Sequence, residues 1–378
     1  MLDHYFSCLP DTDRVLREAA FAEFSAQGFP GKLLESWHYT DFSSLADVAF
    51  MPGKPGESPA YPFDAATPLP STGVPPATFT TAFALDGLSK AFAVSGVSTA
   101  LEGQTDAPLL ISQPDPGAGQ MCHWRHQITM RKKAVATVIL WDAPGTEATS
   151  ASFATTTLQL TLCDNSQLRL IRVQQAPAQA TRALHVCASV NRGASLQVFT
   201  LDLSQAKSRF ELHASLDGAG ASAEVLGLTA ARGRAHADTQ IQISHAAPQC
   251  TSRMEFRLLA AEKSKVIFNG KVVVQAGAIK TDSQTRCHSL LLAATAEIDA
   301  KPELEINADD VKCAHGSTFG QLDDEAEFYL RTRGISAAEA RSLLTQAFSL
   351  SVLEKIPHPL LRAFAEAQVQ DLLREAQA

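Results

Sequence analysis

The sequence predicts a mainly β protein with helical segments at both ends, and three observations support this. Short segments with alternating apolar and polar residues recur from residue 133 to residue 320, a pattern typical of β-strands. Amphipathic helical patterns occupy the two ends of the chain. A chain of 378 residues that is 45% hydrophobic can bury a large core. We expect four regions: an N-terminal helical region (1–50), a Pro/Gly-rich linker and irregular segment (51–132), a β-core (133–322) and a C-terminal helical region (323–378).

The N-terminal region contains a predicted helix from Asp11 to Gln27. Asp11 and Asp13 suit its first turn, and Gly28 ends it. Its expected apolar face consists of Val15, Leu16, Ala19 and Ala22. Residues 52–76 are so rich in proline and glycine that they cannot hold a helix or an inner strand. This segment is predicted to be a long loop or linker.

The central region predicts many short strands rather than alternating strands and helices. Its alternating segments are TTTLQLTL, QLRLIRV, SLQVFTLDL, RFELHASL, TQIQISH, RMEFRLL and KVIFNGKVVV. Turn sequences such as Asp-Asn-Ser, Asn-Arg-Gly and Asp-Gly-Ala-Gly separate them. A sandwich, a barrel and a parallel β-helix all fit this rhythm, and no clean tandem repeat distinguishes between them.

The C-terminal region predicts three helices with clear boundaries. The acidic residues 323–325 open the first helix, which Gly334 ends. Ser336 opens the second with a capping box to Glu339. Its expected apolar face consists of Leu343, Leu344, Ala347 and Phe348, and that of the last helix consists of Leu361, Ala365, Val369, Leu372 and Leu373. If these helices serve a partner, deletion of 336–378 should leave the β-core folded; the alternative is that they seal its end.

Composition and charge exclude several classes of function. The net charge of −8 argues against a nucleic-acid surface. The only basic patch, RHQITMRKK at 125–133, is expected to be a solvated face, and His123 and His126 are expected on opposite faces of a strand near the surface. Apolar stretches such as AVATVILW (134–141) are too short to cross a bilayer, and no signal peptide is recognisable. We expect a cytoplasmic protein without membrane contact.

The motifs of common enzymes are missing from the sequence. It contains no G-x-x-x-x-G-K-[ST], no G-x-S-x-G and no H-E-x-x-H. The glycines at 218–223 imitate a dinucleotide fingerprint, but the segment after them alternates like a strand, so a turn is predicted. Asp309 and Asp310 are adjacent and point apart, unlike the paired acids of a polysaccharide-acting enzyme. The seven cysteines form no Cys-x-x-Cys, so any cluster needs ligands from another chain. An enzyme is not expected.

One pair of residues suits a metal or a partner. In ADDVKCAHGSTFG, alternation along a strand places Cys313 and His315 on the same face, with Ala314 opposite. Thiolate and imidazole are both metal ligands. The alternative is a small buried thiol beside an exposed histidine.

Residues 244–335 resemble the core of the SufB/SufD family of iron-sulfur cluster assembly scaffolds, most specifically in AEIDAKPELEINADDVKCAHG. GFPGKLLESWHYTDFSSL at 28–45 resembles the SufD-type N-terminal motif, and the longer cysteine-bearing N-terminal region of SufB is missing. The resemblance implies a right-handed parallel β-helix core flanked by N-terminal and C-terminal helical regions. It departs at Ala314, where serine is common, and at Ser317, where alanine is common.

The resemblance also implies a function. A SufD-like scaffold subunit, itself no enzyme, pairs with SufB and with the ATPase SufC to build clusters and pass them to apo-proteins. His315 and its neighbour Cys313 would contact a transient iron-sulfur cluster at the SufB interface, and a reduced flavin would belong to the full complex. The SufC-binding helices would contain Ser336, Leu343, Leu344 and Phe348. The isolated chain is expected to form a homodimer. The alternatives are a structural partner subunit without cluster contact and a SufB-type scaffold.

Overall fold

The structure is a computed structural model that describes residues 13–53, 66–70, 81, 83–93, 95–144, 151–203, 205–356 and 358–375. The predicted helix start at Asp11, most of the Pro/Gly-rich segment and Cys8 lie outside the described residues.

The described chain folds as a parallel β-solenoid with two sheets, and this confirms the predicted fold class. Successive strands alternate between the sheets, and each turn takes about 30 residues, within the range of repeat architectures. The first sheet contains β1 (Met51–Pro52), β3 (Ser98–Leu101), β5 (Gln120–Met130), β7 (Ser152–Leu162), β9 (Ala180–Val190), β11 (Lys207–Leu216), β13 (His236–His245), β15 (Lys265–Val274) and β17 (Glu297–Ile306). The second contains β2 (Thr67–Pro68), β4 (Leu109–Gln113), β6 (Val135–Asp142), β8 (Gln167–Gln174), β10 (Ser195–Asp202), β12 (Ser222–Ala231), β14 (Thr251–Ala260), β16 (Asp282–Leu291) and β18 (Lys312–Gly320). The parallel strands begin before residue 133, where the sequence placed the start of the β-core.

The interior of the solenoid is built from columns of aliphatic side chains. Because strand residues alternate, every second residue points inward and stacks on the equivalent residue of the next turn. One such column on the first sheet consists of Leu160, Ala188, Ala214, Ile243 and Val272. All of these are buried in one continuous core. The alternating segments recognised in the sequence are therefore the walls of this core.

Tight turns between the sheets use the predicted polar sequences. Asn165 and Gly193 occupy equivalent places in successive turns, with φ of 58° and 64°. A Cβ atom on Gly193 would lie 2.5 Å from Asn165 Oδ1, so a side chain there would need both strain and displacement. The glycines at 218–223 also form a turn, between β11 and β12, as predicted.

The N-terminal helices cover the outer face of the first sheet. They are α1 (Arg14–Gln27), two short 3-10 helices (Glu35–Trp37 and Ser43–Asp47) and α2 (Asp86–Phe92). Their aromatic side chains pack on Phe153 and Met121 of the sheet. The predicted face of α1 is wrong, because Val15 is 78% exposed while Arg17 is buried and donates to the carbonyl oxygens of Ala91 and Ala93.

The C-terminal helices cover the outer face of the second sheet. They are α3 (Asp324–Thr332), α4 (Ala337–Leu353) and α5 (Pro359–Glu375). Asp323 caps α3, and Ser336 and Glu339 form the predicted capping box of α4. The largest buried side chains that the last two helices and their connection contribute are Val352, Leu353, Ile356, Leu361 and Val369. The helices therefore cover the side of the solenoid and not its end. Of the helices that the structure describes, none combines the length and apolar content needed to span a bilayer.

The surface position predicted for His123 and His126 is wrong, since both side chains are buried. They do lie on opposite faces of β5, as alternation requires. His123 contacts Phe92 and Phe153 under the N-terminal helices, and His126 accepts a hydrogen bond from the backbone of Val97 inside the solenoid. Burial lowers the pKa of both imidazoles to about 3.

The basic patch at 125–133, predicted to be a solvated face, is exposed only at its C-terminal end. Arg125 is buried and forms an ion pair with Asp86 of α2, with Nη1 and Oδ1 2.8 Å apart. Arg131, Lys132 and Lys133 are exposed in the turn that follows β5.

Candidate functional site

The last turn of the solenoid ends in an open edge. Among the described strands, β17 pairs only with β15 and β18 pairs only with β16. Both sheets therefore end at the same turn, with one side of each last strand free of a neighbouring strand. Such edges present backbone donors and acceptors to another chain.

Cys313 and His315 lie side by side on this last strand and point toward the interior. In β18, Cys313 is in register with Ser283, His315 with Thr285 and Ser317 with Cys287. These three partners on β16 are buried, whereas His315 is exposed and Cys313 is half-buried. The reason is that no further turn covers them. The predicted shared face of Cys313 and His315 is thus the inner face of the solenoid at its open end.

The polar groups around this pair are only partly satisfied. Burial, and to a lesser extent the nearby carboxylate of Asp282, raises the pKa of the Cys313 thiol. The buried hydroxyl oxygens of Thr285 and Ser317 have no hydrogen-bond partner among the described residues. The open end therefore exposes a thiol and an imidazole, while the unpaired hydroxyls of Thr285 and Ser317 are buried on the same inner face.

The sequence analysis missed the contribution of β16 to this site. Ser283 and Thr285 are buried on the inner face of β16, the strand that pairs with β18. They lie in register with Cys313 and His315. Their spacing in DSQTRCHSLL follows the same alternation that identified Cys313 and His315, so the signal was available. In the part of the chain that the structure describes, no three His, Cys, Asp or Glu side chains are placed to hold a metal ion.

A second surface lies on the C-terminal helices. Leu343 is 47% exposed and borders a groove of about 400 Å³ between the end of α3 and α4. The groove is lined by Gly334, Ile335, Glu339, Ser342, Leu343 and Gln346. Phe328 and Tyr329 of α3 are also exposed. Large apolar side chains on a surface of this kind are typical of a protein interface.

The other predicted partner-binding residues are placed differently. Phe348 is half-buried against the second sheet, where the guanidinium of Arg257 lies 5.5 Å from its ring centre, and Leu344 is half-buried as well. The hydroxyl of Ser336 accepts a hydrogen bond from the Glu339 backbone in the capping box. The structure thus brings Leu343 to the surface and uses Ser336 for helix capping.

Comparison with known proteins finds the same family that the sequence resembles. The family described as SUF system FeS cluster assembly, SufBD core domain, matches residues 112–348. The iron-sulfur cluster assembly protein SufD of Escherichia coli is 32% identical over 259 residues, which cover 67% of this chain and 61% of that protein. A SufBD family protein of Synechocystis is 32% identical over 199 residues, covering 53% of this chain and 44% of that protein. One from Mycobacterium bovis is 26% identical over 283 residues, covering 72% and 70%.

The fold and the open-ended site define a parallel β-solenoid flanked by helices. The chain belongs to the SufB/SufD family of iron-sulfur cluster assembly proteins and is most like SufD. It spans less than two thirds of the length of the Escherichia coli and Synechocystis relatives, at 61% and 44%.

Proposed function

We propose that this chain is a SufD-like scaffold subunit that pairs with SufB and SufC, builds iron-sulfur clusters with them and passes the clusters to apo-proteins. The observation that carries the proposal is the pairing of Cys313 with His315 at the open end of the solenoid. A nascent cluster is the cargo of such a site. A thiol and an imidazole are fewer ligands than a cluster takes, so SufB would supply the remainder across the open edge.

The chemistry of the pair favours His315 as the primary ligand. A neutral imidazole binds iron without losing a proton first. The Cys313 thiol has a raised pKa, so iron must displace its proton before the sulfur can bind. Cys313 would therefore support the site, and His315 would be the more important of the two.

The test is anaerobic co-expression with SufB and SufC, followed by iron and sulfide analysis of the purified complex. We expect His315→Ala to leave the complex assembled and to lower its iron and sulfide several-fold. Cys313→Ser should have a smaller effect, and His315→Cys should restore part of the cluster because a thiolate also binds iron. His288→Ala is the matched control, since His288 lies on the neighbouring strand and its Nδ1 is 2.8 Å from the Thr318 hydroxyl.

Two outcomes would contradict the ligand role. If His315→Ala releases SufB while the remaining complex keeps its full cluster, His315 is only an interface contact. If His315→Ala and Cys313→Ser both match the wild type, the chain is a structural partner subunit and SufB holds the cluster without it. A reduced flavin in the complex would be detected by its spectrum after release from the same preparations.

We further propose that SufC, which carries the ATPase activity, binds the groove beside Leu343. Leu343→Asp introduces a charge into an exposed apolar surface and should abolish SufC binding without unfolding the chain. Val15→Asp is the control, because Val15 is 78% exposed on a helix across the solenoid. Binding measured by pull-down and calorimetry should be lost only in Leu343→Asp; equal binding by both variants would place SufC elsewhere.

A further inference from the structure

A polar region lies inside the solenoid, where the ends of β6 and β8 face the start of β9. Asp142 and Gln174 are in register on the first two strands, and alternation places both on the inner face that Leu140 also occupies. Arg182 points inward from β9, two residues before the core residue Leu184. Polar side chains in an aliphatic core need partners inside that core.

The two arginines of this region are each paired with a carboxylate. Arg172 Nη2 donates to Asp202 Oδ2 at 3.2 Å and also to Gln174 Oε1. Arg182 Nη2 donates to Asp115 Oδ2. Because the amide oxygen of Gln174 accepts from a guanidinium, the NH₂ group of the same amide faces away from Arg172.

Two buried N–H groups of this region have no acceptor in the described part of the chain. They are those of Gln174 Nε2 and Arg182 Nε, on residues that are 3% and 4% exposed. Arg182 Nε lies 3.5 Å from Asp142 Oδ2, which is too far for an ordinary hydrogen bond. A separation of this kind is typical of two polar groups that a water molecule bridges.

A small cavity borders the same groups. It offers about 20 Å³ to the centre of a water molecule, and its polar lining consists of Gln113, Asp142, Thr156, Arg172, Gln174 and Arg182. A buried water needs about 10–15 Å³ by this measure and typically makes about three hydrogen bonds. The cavity therefore suits one ligand of the size of a water molecule and is too small for a polyatomic ligand.

The charges around the cavity distinguish water from an ion. A cation does not suit the site, because both unpaired groups are N–H donors and two guanidiniums line the cavity. Asp142 has a pKa of about 6 and is largely ionised at neutral pH. The carboxylates of Asp115, Asp142 and Asp202 then outnumber the two guanidiniums with which they pair, so an added anion would be repelled. A neutral ligand that both accepts and donates hydrogen bonds fits best.

We propose that this cavity is a binding site for one buried water molecule that joins the two sheets of the solenoid. The water accepts hydrogen bonds from Gln174 Nε2 and Arg182 Nε and donates one to Asp142 Oδ2. It thereby links β9 of the first sheet to β6 and β8 of the second. The site is part of the folded chain alone, and the proposal is independent of the cluster role of His315.

The first test is a crystal structure of the full chain at a resolution that shows ordered waters. We expect one isolated density peak about 2.7–3.2 Å from both Gln174 Nε2 and Arg182 Nε. Crystals soaked in sodium bromide should show no anomalous signal at this peak. A bromide signal there would make the cavity an anion site, and a direct bond between Arg182 Nε and Asp142 without a density peak would leave no ligand. Either result would overturn the proposal.

The second test counts long-lived internal waters in solution by oxygen-17 magnetic relaxation dispersion. Gln174→Met keeps a side chain of similar length and removes the amide donor, so the count should fall by about one relative to the wild type. Thr281→Val is the matched control and should leave the count unchanged, because the buried Thr281 hydroxyl donates to the Ala278 carbonyl oxygen at 2.8 Å.

The circular dichroism spectrum shows whether each variant is folded. Equal water counts for the wild type and folded Gln174→Met would overturn the proposal. If Gln174→Met does not fold, the crystal structure of the wild type decides, since it needs no variant.

Discussion

Deletion of residues 336–378 should destabilise the whole solenoid and not merely remove a partner site. The deletion removes α4, α5 and their connection, whose buried side chains Val352, Leu353, Ile356, Leu361 and Val369 pack on the outer face of the second sheet. Burying one such side chain contributes about 1.5–3 kcal/mol, so the loss is on the order of 10 kcal/mol as an upper estimate. A domain is stable by only about 5–15 kcal/mol. We therefore expect the truncated β-core to lose stability, in contrast to the sequence-based expectation that it stays folded.

The assay is urea unfolding of the chain ending at residue 335, with size-exclusion chromatography at the same concentration. We expect aggregation or a large fall in the urea midpoint, because Leu201, Leu228 and Leu259 of the sheet become exposed. The Leu343→Asp variant is the control for loss of SufC contact without loss of this packing. A truncated chain that keeps the oligomeric state of the full chain and unfolds at the same urea midpoint would refute the reasoning.

Three further predictions concern stability. Gly227→Ala should cost about 1–3 kcal/mol in urea unfolding, because the new Cβ would lie 2.1 Å from Phe256 Cε1; Gly316→Ala, with nothing within 4 Å, should be neutral. Ser336→Ala should lower the free energy of unfolding by about 1 kcal/mol through loss of the capping box. Folded Ser336→Ala protein should still bind SufC like the wild type. Burial raises the pKa of Asp142 to about 6 despite Arg182 and Arg172. The folded state therefore favours the protonated form of Asp142. As a result, the free energy of unfolding of the wild type falls as pH rises from about 4 through 6. The stability of Asp142→Asn relative to wild type should therefore rise over that range, and a difference independent of pH would contradict the assignment.

Local patterns predicted the strands and helix ends well because those features depend on neighbouring residues. The segments of alternating residues became strands, and the Ser336 capping box formed as expected. Burial on the outer faces depends on contacts that are distant in sequence. Arg17 is buried because its guanidinium reaches the carbonyl oxygen of Ala91, 74 residues away. Such a contact leaves no trace in the helical pattern of α1, and the pattern therefore selected Val15 instead.

The buried face of α4 was missed for a related reason. Thr345 and Ser349 are fully buried, and each hydroxyl donates to the carbonyl oxygen four residues earlier in the helix. A hydroxyl satisfied in this way can lie against a sheet without a large cost. Hydrophobicity placed Leu343 in the expected apolar face of the helix, and the structure leaves this side chain 47% exposed at the surface.

The candidate site has a structural explanation that must be separated from its chemistry. The inner column that ends at His315 runs through Val138, Leu170, Val198, Val225, Met254 and Thr285. It is apolar for five turns and becomes polar only in the last two. A terminal repeat needs a polar surface because no further turn covers it. Exposure therefore accounts for polarity at this position.

Exposure does not account for the choice of residues. The neighbouring column passes through Ser252 and Ser283, whose hydroxyl oxygens are 2.8 Å apart, and ends at Cys313. A serine at position 313 could hydrogen-bond to water at the open end. It would also avoid an oxidisable thiol. The strand instead presents a thiol and an imidazole on one face, and these are the side chains that bind iron. Replacement of Cys313 by Ser and of His315 by Asn keeps a polar end and removes both of the proposed iron ligands. That double variant therefore isolates the chemistry: it should assemble with SufB like the wild type and lose the cluster, and retention of the cluster would leave solvent exposure as the whole explanation.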